Sequence, residues 1–310
     1  MKETKATLPE SPSRDLLTRF LFEQAPVHGA LVSLDTSSRA ILDCHPYPPA
    51  LQRVMAELLA ASALLGSALK FTGSLIVQLQ GTGPVRLLVV ECNDALDLRA
   101  TAQWDAERTA AFGPDATLAE LAGGATQGKL VITLDPKGNG NIYQGIVTLE
   151  TVSIASLIEH YLATSEQLAS RMILATDAGR AVGLLVQRLP ATDAAGGDVP
   201  EITWTHASNQ VAQMDPHTLF APGSPEALIA ATFPHDDVRV FRPKIARFRC
   251  SCSPERVERA LRIAGRAEVE SILAERGEVE VTCEFCNRSY SYVPADARAL
   301  FAADAPPVRH

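Results

Sequence analysis

The first part of the chain alternates short apolar runs with turn residues. Near its start, four apolar residues recur at helical spacing: Leu16, Leu17, Phe20 and Leu21. The stretch GALVSLD then predicts a strand. A longer helix is predicted in LQRVMAELLAASALLGSALKF, because Leu51, Leu58 and Leu65 fall on one helical stripe.

Several β-rich runs follow, separated by glycine, proline, asparagine and aspartate turns: SLIVQLQG, VRLLVVEC, DLRATAQW, KLVITLD and IYQGIVTL. A helix is predicted in SIASLIEHYLATS, and further strands in SRMILAT and AVGLLVQRLP. Successive strands followed by helices favour an α+β fold over a regular βαβ array. We therefore predict an α+β domain over residues 14–190, preceded by a disordered tail at residues 1–13.

Beyond Pro190 prolines and glycines become frequent and the apolar runs become short. A helix is predicted in SPEALIAATF, with Ser224 as the N-cap and Pro225 in the first helical position. The aromatic residues Trp204 and Phe233 are set among prolines, a pattern typical of marginal folding. Residues 191–246 are therefore predicted to form a partly helical, metastable linker.

A small terminal module is predicted over residues 247–295, with a C-terminal tail at residues 296–310. SPERVERALRIAG begins with Ser253 as N-cap and ends at Gly265, and EVESILAERG ends at Gly277, so both segments predict helices. EVEVTCEFCNRSYSYV alternates apolar and polar residues on either side of a turn, which predicts a β-hairpin.

Composition narrows the class of protein. The chain has 310 residues, of which 46% are hydrophobic and 21% charged, as in ordinary globular proteins. Its formal net charge of -8 argues against general attraction to nucleic acid or to anionic membranes. The N-terminus lacks the apolar core of a secretory signal, and no apolar run is long enough to cross a bilayer. These features predict a cytoplasmic protein, whose thiols stay reduced.

Four of the six cysteines lie in the terminal module. Cys250 and Cys252 form a C-x-C pair, and Cys283 and Cys286 form a C-x-x-C pair. Two close pairs on so small a module predict a structural zinc site, because the metal supplies stability that a small apolar core cannot. Four thiolates fill a tetrahedral shell and leave no position for a catalytic water.

Two interpretations of this zinc site stay open on the residues alone. A permanently closed zinc ribbon would only hold the module together. Alternatively, the C-x-C pair crowds two thiolates, and the nearby Arg247, Arg249 and Arg288 would favour the thiolate form that reacts with oxidants. The same arginines would serve equally well for surface solubility.

The pattern CSC…CEFC resembles the zinc-binding redox switch of the heat-shock protein 33 family, whose members are cytosolic chaperones activated by oxidation. The resemblance extends to YPPALQRVMAELLAASALLGSALKFTGSLIVQLQGTGP, to IYQGIVTLE and HYLATSEQL, and to SILAERGEVEVTCEFC. It runs from about Asp15 to about Pro294 and is weakest in the linker.

The resemblance implies a function. In the reduced, inactive form, Cys250, Cys252, Cys283 and Cys286 would hold one zinc ion per chain. Oxidation would join Cys250 to Cys252 and Cys283 to Cys286, release zinc, unfold the linker and expose a surface that holds unfolded client proteins without ATP. The active form is expected to be a homodimer. Neither catalysis nor binding to nucleic acid or membranes is expected.

The free energies that zinc and disulfides contribute to folding agree with such a switch. Structural zinc contributes roughly 10–16 kcal/mol to the folding of a small module. A disulfide that closes a loop of about four residues contributes only about 2 kcal/mol. Neighbour disulfides therefore cannot replace the metal, whereas disulfides between the two pairs would join the ends of the module and tend to preserve it.

An alternative function is a zinc-ribbon protein that binds nucleic acid. It predicts an excess of basic residues in the module, but residues 249–294 contain seven Arg, no Lys and eight Glu. The excess is absent, so the chaperone is the preferred hypothesis.

The two remaining cysteines have no place in the switch. Cys92 ends the apolar run LLVVEC and is predicted to be buried and inert. Cys44 lies beside His45 in the loop DCHPYPP, where a reactive thiol is possible.

Overall fold

A computed structural model describes residues 15–69, 72–138, 140–149, 153–190 and 199–302. The predicted tail at residues 1–13 lies outside these ranges. The chain divides into two compact units, the first ending at Phe248 and the second beginning at Arg249. The predicted fold class is confirmed: a sheet domain is followed by a helical region and by a C-terminal part that carries the clustered cysteines.

The first unit is built from strands and helices that follow the apolar runs of the sequence. Its strands are β1 (Leu16–Phe22), β2 (Val27–Leu34), β3 (Gly73–Gln80), β4 (Val85–Asn93), β5 (Asp97–Trp104), β6 (Lys129–Pro136), β7 (Tyr143–Thr148), β8 (Ser170–Asp177), β9 (Arg180–Arg188), β10 (Val238–Val240), β11 (Lys244–Ile245) and β12 (Arg247–Phe248). Its helices are α1 (Thr36–Leu42), α2 (Pro49–Ala68), α3 (Ala106–Ala110), α4 (Leu118–Ala122), α5 (Ile154–Thr164), α6 (Val199–Gln213) and α7 (Pro225–Thr232), with a 3-10 helix at Pro216–Phe220.

Within the described residues these strands form two six-stranded sheets. Sheet A has the order β10-β1-β2-β9-β8, with β11 also paired to β1, and sheet B has the order β12-β5-β4-β3-β6-β7. Most neighbours are antiparallel, as hairpin connections require, whereas β12 runs parallel to β5.

Helix α2 packs against strands of both sheets. Val32 of sheet A and Val77 of sheet B belong to the same buried cluster as Leu58 and Leu64 of the helix. A helix that is apolar on nearly all sides must be buried on nearly all sides, and this explains why leucine and alanine dominate its sequence. No helix in the described part of the chain is both long and apolar enough to cross a membrane.

The helical spacing near the start of the chain gave a wrong prediction, because these residues lie in β1. Leu17 faces the cluster around α2, whereas Phe20 and Phe22 belong to the cluster on the other face of sheet A. Since both faces of the strand are covered, its apolar residues do not alternate strictly and their pattern resembles that of a helix. The other helices and strands predicted up to residue 190 are present.

The described part of the linker begins at Val199 and contributes α6, the 3-10 helix, α7, β10 and β11. Helix α7 begins as predicted, since the Ala227 N–H donates to Ser224 Oγ at 3.2 Å. Helix α6 was not predicted, because its apolar stripe is narrow. Trp204, Ala207 and Val211 face the sheet, and the rest of the helix surface is largely polar.

The linker covers the face of sheet A that α2 leaves open. The Phe233 ring lies 5.6 Å from the ring of Phe20 and 5.1 Å from that of Phe22, measured between centroids. Strand β9 is buried at every position between its two terminal arginines. Its unbroken apolar run is explained by cover on both faces, by α2 on one side and by the linker on the other.

The second unit contains α8 (Pro254–Ala264), α9 (Arg266–Arg276), β13 (Val279–Thr282), β14 (Ser289–Tyr292) and α10 (Pro294–Ala302). The predicted caps are present: Ser253 accepts a hydrogen bond from the Arg256 N–H, and Gly277 ends α9 with φ 81°. The structure differs from the prediction at residues 296–302, which lie in α10 instead of in a tail. Ala297 and Leu300 bury one face of this helix in the small apolar cluster of the unit.

We expect the Gly29→Ala substitution to destabilise the first unit. A Cβ at this position of β2 would lie 2.3 Å from the Phe20 ring and 2.5 Å from the Leu185 carbonyl oxygen. Such overpacking costs about 1–3 kcal/mol and should lower the midpoint of urea unfolding followed by tryptophan fluorescence. The control is Gly113→Ala, whose added Cβ meets nothing within 4 Å and should leave the midpoint nearly unchanged. Equal midpoints for the two variants would contradict this packing.

Candidate metal centre

Four cysteine side chains converge in the second unit. The Sγ atoms of Cys250, Cys252, Cys283 and Cys286 all lie within 4.8 Å of one another. The sulfurs of Cys250 and Cys283 are 3.6 Å apart, and those of Cys252 and Cys286 are 3.4 Å apart. Among the described residues, no other group of three or more His, Cys, Asp or Glu side chains brings its ligand atoms together in this way.

The C-x-C pair lies in a short segment without regular secondary structure between β12 and α8. The sulfurs of Cys250 and Cys252 both belong to the converging group. The segment ends where Ser253 caps α8, and Arg256 Nη1 donates to Ser251 Oγ at 2.6 Å. The helix start therefore helps to fix the backbone that carries Cys250 and Cys252.

The C-x-x-C pair occupies the turn of the predicted hairpin between β13 and β14. The Cys283 N–H donates to the Arg288 carbonyl at 2.9 Å, and the Asn287 N–H donates to the Cys283 carbonyl at 2.8 Å. Asn287 has φ 56°, in the left-handed region that asparagine tolerates better than most residues. The tight turn brings Cys283 and Cys286 to the same side of the hairpin.

The sulfur geometry fits a tetrahedral zinc ion. Zinc–sulfur bonds of about 2.3 Å in a tetrahedron place neighbouring sulfurs about 3.8 Å apart, close to the 3.6 Å and 3.4 Å of the two sulfur pairs above. All six cysteines of the chain are unbridged thiols. An all-thiolate donor set is one that zinc prefers, so these four residues could hold such an ion.

The thiols of the cluster differ in acidity. Burial alone would raise the pKa of Cys252, but hydrogen bonds from Tyr290 and the neighbouring thiols outweigh it and lower that pKa to about 7. The Tyr290 hydroxyl donates to the Cys252 sulfur at 3.2 Å. Burial raises the pKa of Cys250 and of Cys286, so of these three thiols Cys252 ionises first. A cation at the centre would favour the thiolate form of all four.

Two of the arginines near the cysteines in sequence, Arg288 and Arg247, act differently. The pKa of Arg288 is raised by its hydrogen bond to Tyr290 and also by the charges of Cys252 and Cys286. Its guanidinium therefore lies in the electrostatic field of the cluster. Arg247 instead pairs with Asp97 of β5, with 2.6 Å between Nε and the carboxylate. Both residues belong to the first unit, so this ion pair lies within that unit.

The two remaining cysteines do not belong to the converging group. Cys92 is buried, as predicted, and burial followed by the charges of Asp97 and Asp94 raises its pKa to about 12. Such a thiol is inert at neutral pH. Cys44 is partly buried, and its S–H donates to the Ala40 carbonyl at 3.2 Å.

Sequence reasoning missed the role of Tyr290. It recognised the tyrosine as part of the alternating hairpin pattern and not as a hydrogen-bond donor to sulfur. Pairing of Tyr290 with Val281 in the hairpin fixes the ring position that allows this hydrogen bond. The available signal was a tyrosine just beyond the C-x-x-C turn, in a strand that returns past the cysteines.

Comparison with known proteins points to one family. The model of the family described as Hsp33 protein matches residues 15–293. The 33 kDa chaperonin of Methylobacillus flagellatus is 40% identical over 296 residues, covering 94% of this chain and 95% of that protein. The 33 kDa chaperonin of Nitrosococcus oceani is 40% identical over 289 residues, covering 93% of this chain and 95% of that protein.

A solved structure has the same fold. The crystal structure of the 33 kDa chaperonin, a heat shock protein 33 homolog, from Thermotoga maritima superposes with a TM-score of 0.77. The match covers 94% of this chain and 100% of that one, at 19% sequence identity. At this identity, the likeness bears on the fold alone.

The hydroxyl of Tyr290 is expected to strengthen metal retention. The Tyr290→Phe variant keeps the ring but loses the donor to Cys252, and losses around a metal's ligands typically lower affinity about ten- to a hundredfold. Competition of the zinc-loaded variant with a chromogenic chelator measures this. The control is Tyr292→Phe, which removes a hydroxyl that donates to the Pro254 carbonyl and should leave zinc affinity unchanged. Unaltered affinity in Tyr290→Phe would contradict a role for the hydrogen bond.

Proposed function

This chain belongs to the Hsp33 family, and we propose that it is an Hsp33-type chaperone whose holdase activity is switched on by oxidation. Membership of the family indicates that it is a chaperone, and chaperones of this family bind unfolded client proteins. The proposal concerns the switch: a metal that orders the second unit, and a linker whose order depends on that unit. The observation that carries it is the sequence continuity between the four-sulfur cluster and the segment that covers sheet A.

In the reduced state we propose that the four thiolates hold one zinc ion. The fully buried apolar residues of the second unit are few, with Val269 and Val279 among the best covered. A metal contribution of roughly 10–16 kcal/mol is therefore large beside the stability that this small cluster can supply. Loss of the ion should leave the unit unable to stay folded.

Oxidation is proposed to join Cys250 to Cys252 and Cys283 to Cys286. Each disulfide forms when two thiolates give two electrons to one hydrogen peroxide, which takes up two protons from solvent and becomes two waters, so two peroxides release one zinc ion. Sulfurs of the two segments also lie close enough to react with each other. The neighbour pairing is proposed because it leaves the two segments unconnected, which lets the unit unfold.

The linker is proposed to sense this loss through its C-terminal end. Cys250 lies two residues beyond β12, which pairs with β5 through Arg247 and Phe248 alone. The Arg247–Asp97 ion pair is largely exposed on the arginine side, and exposed pairs stabilise little. Once the chain beyond β12 is disordered, this short pairing should fray, and the linker loses its anchor.

The client surface is proposed to be the face of sheet A that the linker covers. The residues that sheet A itself contributes to this face are apolar and form one cluster: Phe20, Phe22, Val27, Leu31, Val182, Leu184 and Val186. Departure of the linker would expose a broad apolar patch, which suits unfolded chains that expose their own apolar residues. Oxidative stress would thereby convert a covered sheet into a holding surface without ATP.

Client aggregation measured by light scattering tests the function. Reduced, zinc-loaded protein should fail to prevent aggregation of a thermally unfolding client. After treatment with peroxide and mild heat, or with hypochlorite, it should prevent aggregation while releasing one zinc per chain. A variant with serine at all four cysteine positions should protect equally with and without oxidant, because it binds no metal. Equal protection by reduced and oxidised wild-type protein would contradict the switch.

We expect the Phe233→Ala substitution to activate the chaperone partly without oxidation. The ring is buried against Phe20 and Phe22, and loss of a buried phenylalanine costs about 3–5 kcal/mol. The substitution lies in the linker, so the client surface on the core is unchanged. Client protection by the reduced, zinc-loaded variant measures the effect, with the exposed linker residue substituted in Ile202→Ala as control. The hypothesis fails if Phe233→Ala is as inactive as the control.

A further inference from the structure

The end of the linker carries a local excess of positive charge. From Val238 to Phe248 the chain has four basic residues and no acidic one, although its net charge is -8. Strands β10 and β11 and the loop between them contribute Arg239, Arg242 and Lys244, all of which are exposed. The charge of the whole chain therefore does not describe this part of the surface.

A bulge at the edge of sheet A sets the direction of these side chains. Strand β10 pairs with β1 as far as Phe20, and Lys244 of β11 pairs with Leu17. Three loop residues thus lie opposite two residues of β1, and the extra residue reverses the side to which the following strand turns its side chains. Lys244 therefore faces the same side of the sheet as Leu17, and Arg239 also faces this side because it pairs with Leu21.

Arg19 of β1 completes a row of positive charges. It occupies the position between Leu17 and Leu21 that faces the same side of the strand, and it is exposed. Lys244, Arg19 and Arg239 therefore follow one another in the strand direction at steps of two residues, each about 7 Å. Together with two residues of the loop they form a basic strip, which consists of Arg19, Arg239, Phe241, Arg242 and Lys244.

Acidic side chains neutralise little of this charge. They lie at one end of the strip, where Glu23 pairs with Arg239 and Asp237 precedes β10. At the other end Asp15 is buried and accepts hydrogen bonds from the Ser37 N–H and hydroxyl. The remaining three basic side chains of the strip form no ion pair with any residue that the structure describes.

An exposed aromatic ring lies within the strip. The Arg19 guanidinium lies over the Phe241 ring, 5.8 Å from its centroid, and Phe241 is still 37% exposed. The Phe241 N–H donates to the Arg19 carbonyl at 2.9 Å, so the backbone holds this residue beside the strand. Nucleic-acid bases stack on aromatic rings and on guanidinium planes, so this pair offers a stacking surface.

We infer that the basic strip binds single-stranded nucleic acid, with phosphates along its aligned cations and a base stacked on the Arg19–Phe241 pair. Proteins that bind single strands without sequence preference combine a positively charged track with aromatic side chains. An acidic peptide would pair with the cations and leave the ring unused. A duplex would do the same, because its bases are stacked on one another.

Binding of nucleic acid was not expected from the sequence, because the charge of the whole chain and that of the terminal module argue against it. The strip lies outside the module, and Arg19 joins it only through the pairing of β1 with β10 and β11. Its row of cations faces the side of sheet A opposite to the face under the linker. The inference does not rest on the proposed function.

Fluorescence anisotropy of a fluorescein-labelled oligouridine, titrated with the full chain in its reduced, zinc-loaded form, tests the site. The logarithm of the binding constant should fall with the logarithm of salt concentration at a slope of about -2 if three cations each contact a phosphate. Lys244→Gln should weaken binding several-fold and make the slope less steep by about 0.7. The matched control is Lys129→Gln, at an exposed lysine of β6, which should change neither quantity. No binding, or equal affinity of the two variants, would overturn the inference.

Substitution of the ring tests the stacking. Phe241→Leu keeps an apolar side chain but loses the aromatic face, and it should weaken binding of the oligouridine about tenfold. Phe241→Tyr keeps the ring and should bind like wild-type protein. Equal affinities of Phe241→Leu and Phe241→Tyr would show a surface that recognises charge alone and would overturn the inference.

Competition separates nucleic acid from other anions. Unlabelled oligouridine should displace the labelled probe, whereas polyglutamate at the same concentration of charge should displace much less of it. Equal displacement by the two competitors would show that an acidic peptide fits the strip as well, and the choice of nucleic acid would be wrong.

Discussion

Four like-charged thiolates cannot share one small volume without a cation, and this constraint governs the second unit. Two segments separated by 30 residues bring their sulfurs within 4.8 Å of one another. Without a cation, burial and the neighbouring sulfurs keep thiols such as Cys250 and Cys286 protonated, whereas a bound dication favours the thiolate form and joins the two segments. The apolar cluster of the second unit is small, so we expect the unit to lose its fold when the metal is removed.

The two covers of sheet A explain how loss of the metal from the second unit could expose an apolar surface in the first unit. One of its faces is covered by α2, whose packing extends into sheet B and buries many side chains completely. The other face is covered by the linker, which contributes few fully buried side chains, such as Val211, Ile229 and Phe233. Its ion pairs to the sheet, from Arg188 to Glu201 and from Arg239 to Glu23, are exposed and stabilise little. Sheet A is therefore held tightly by α2 on one face and weakly by the linker on the other, so the face under the linker is the one that can become exposed.

Much of this arrangement follows from local sequence. Caps at Ser224, Ser253 and Gly277, and the hairpin that carries Cys283 and Cys286, depend on neighbouring residues and were predictable. Contacts between distant residues were not: Arg247 and Asp97 are 150 positions apart. Strand β1 was mistaken for a helix because elements far along the chain cover both its faces. The unbroken apolar run of β9 was a local sign that sheet A needed a second cover, as was the non-alternating pattern of β1.

The central claim is that metal in the second unit keeps the linker folded on sheet A. Hydrogen exchange measured by mass spectrometry, on reduced protein before and after zinc is removed by a chelator, tests it most directly. We expect amides of α6 and α7 to lose protection when the metal leaves, while β3, β4 and β6 in the core of sheet B keep theirs. Unchanged protection of α6 and α7 in the metal-free, reduced protein would contradict the coupling.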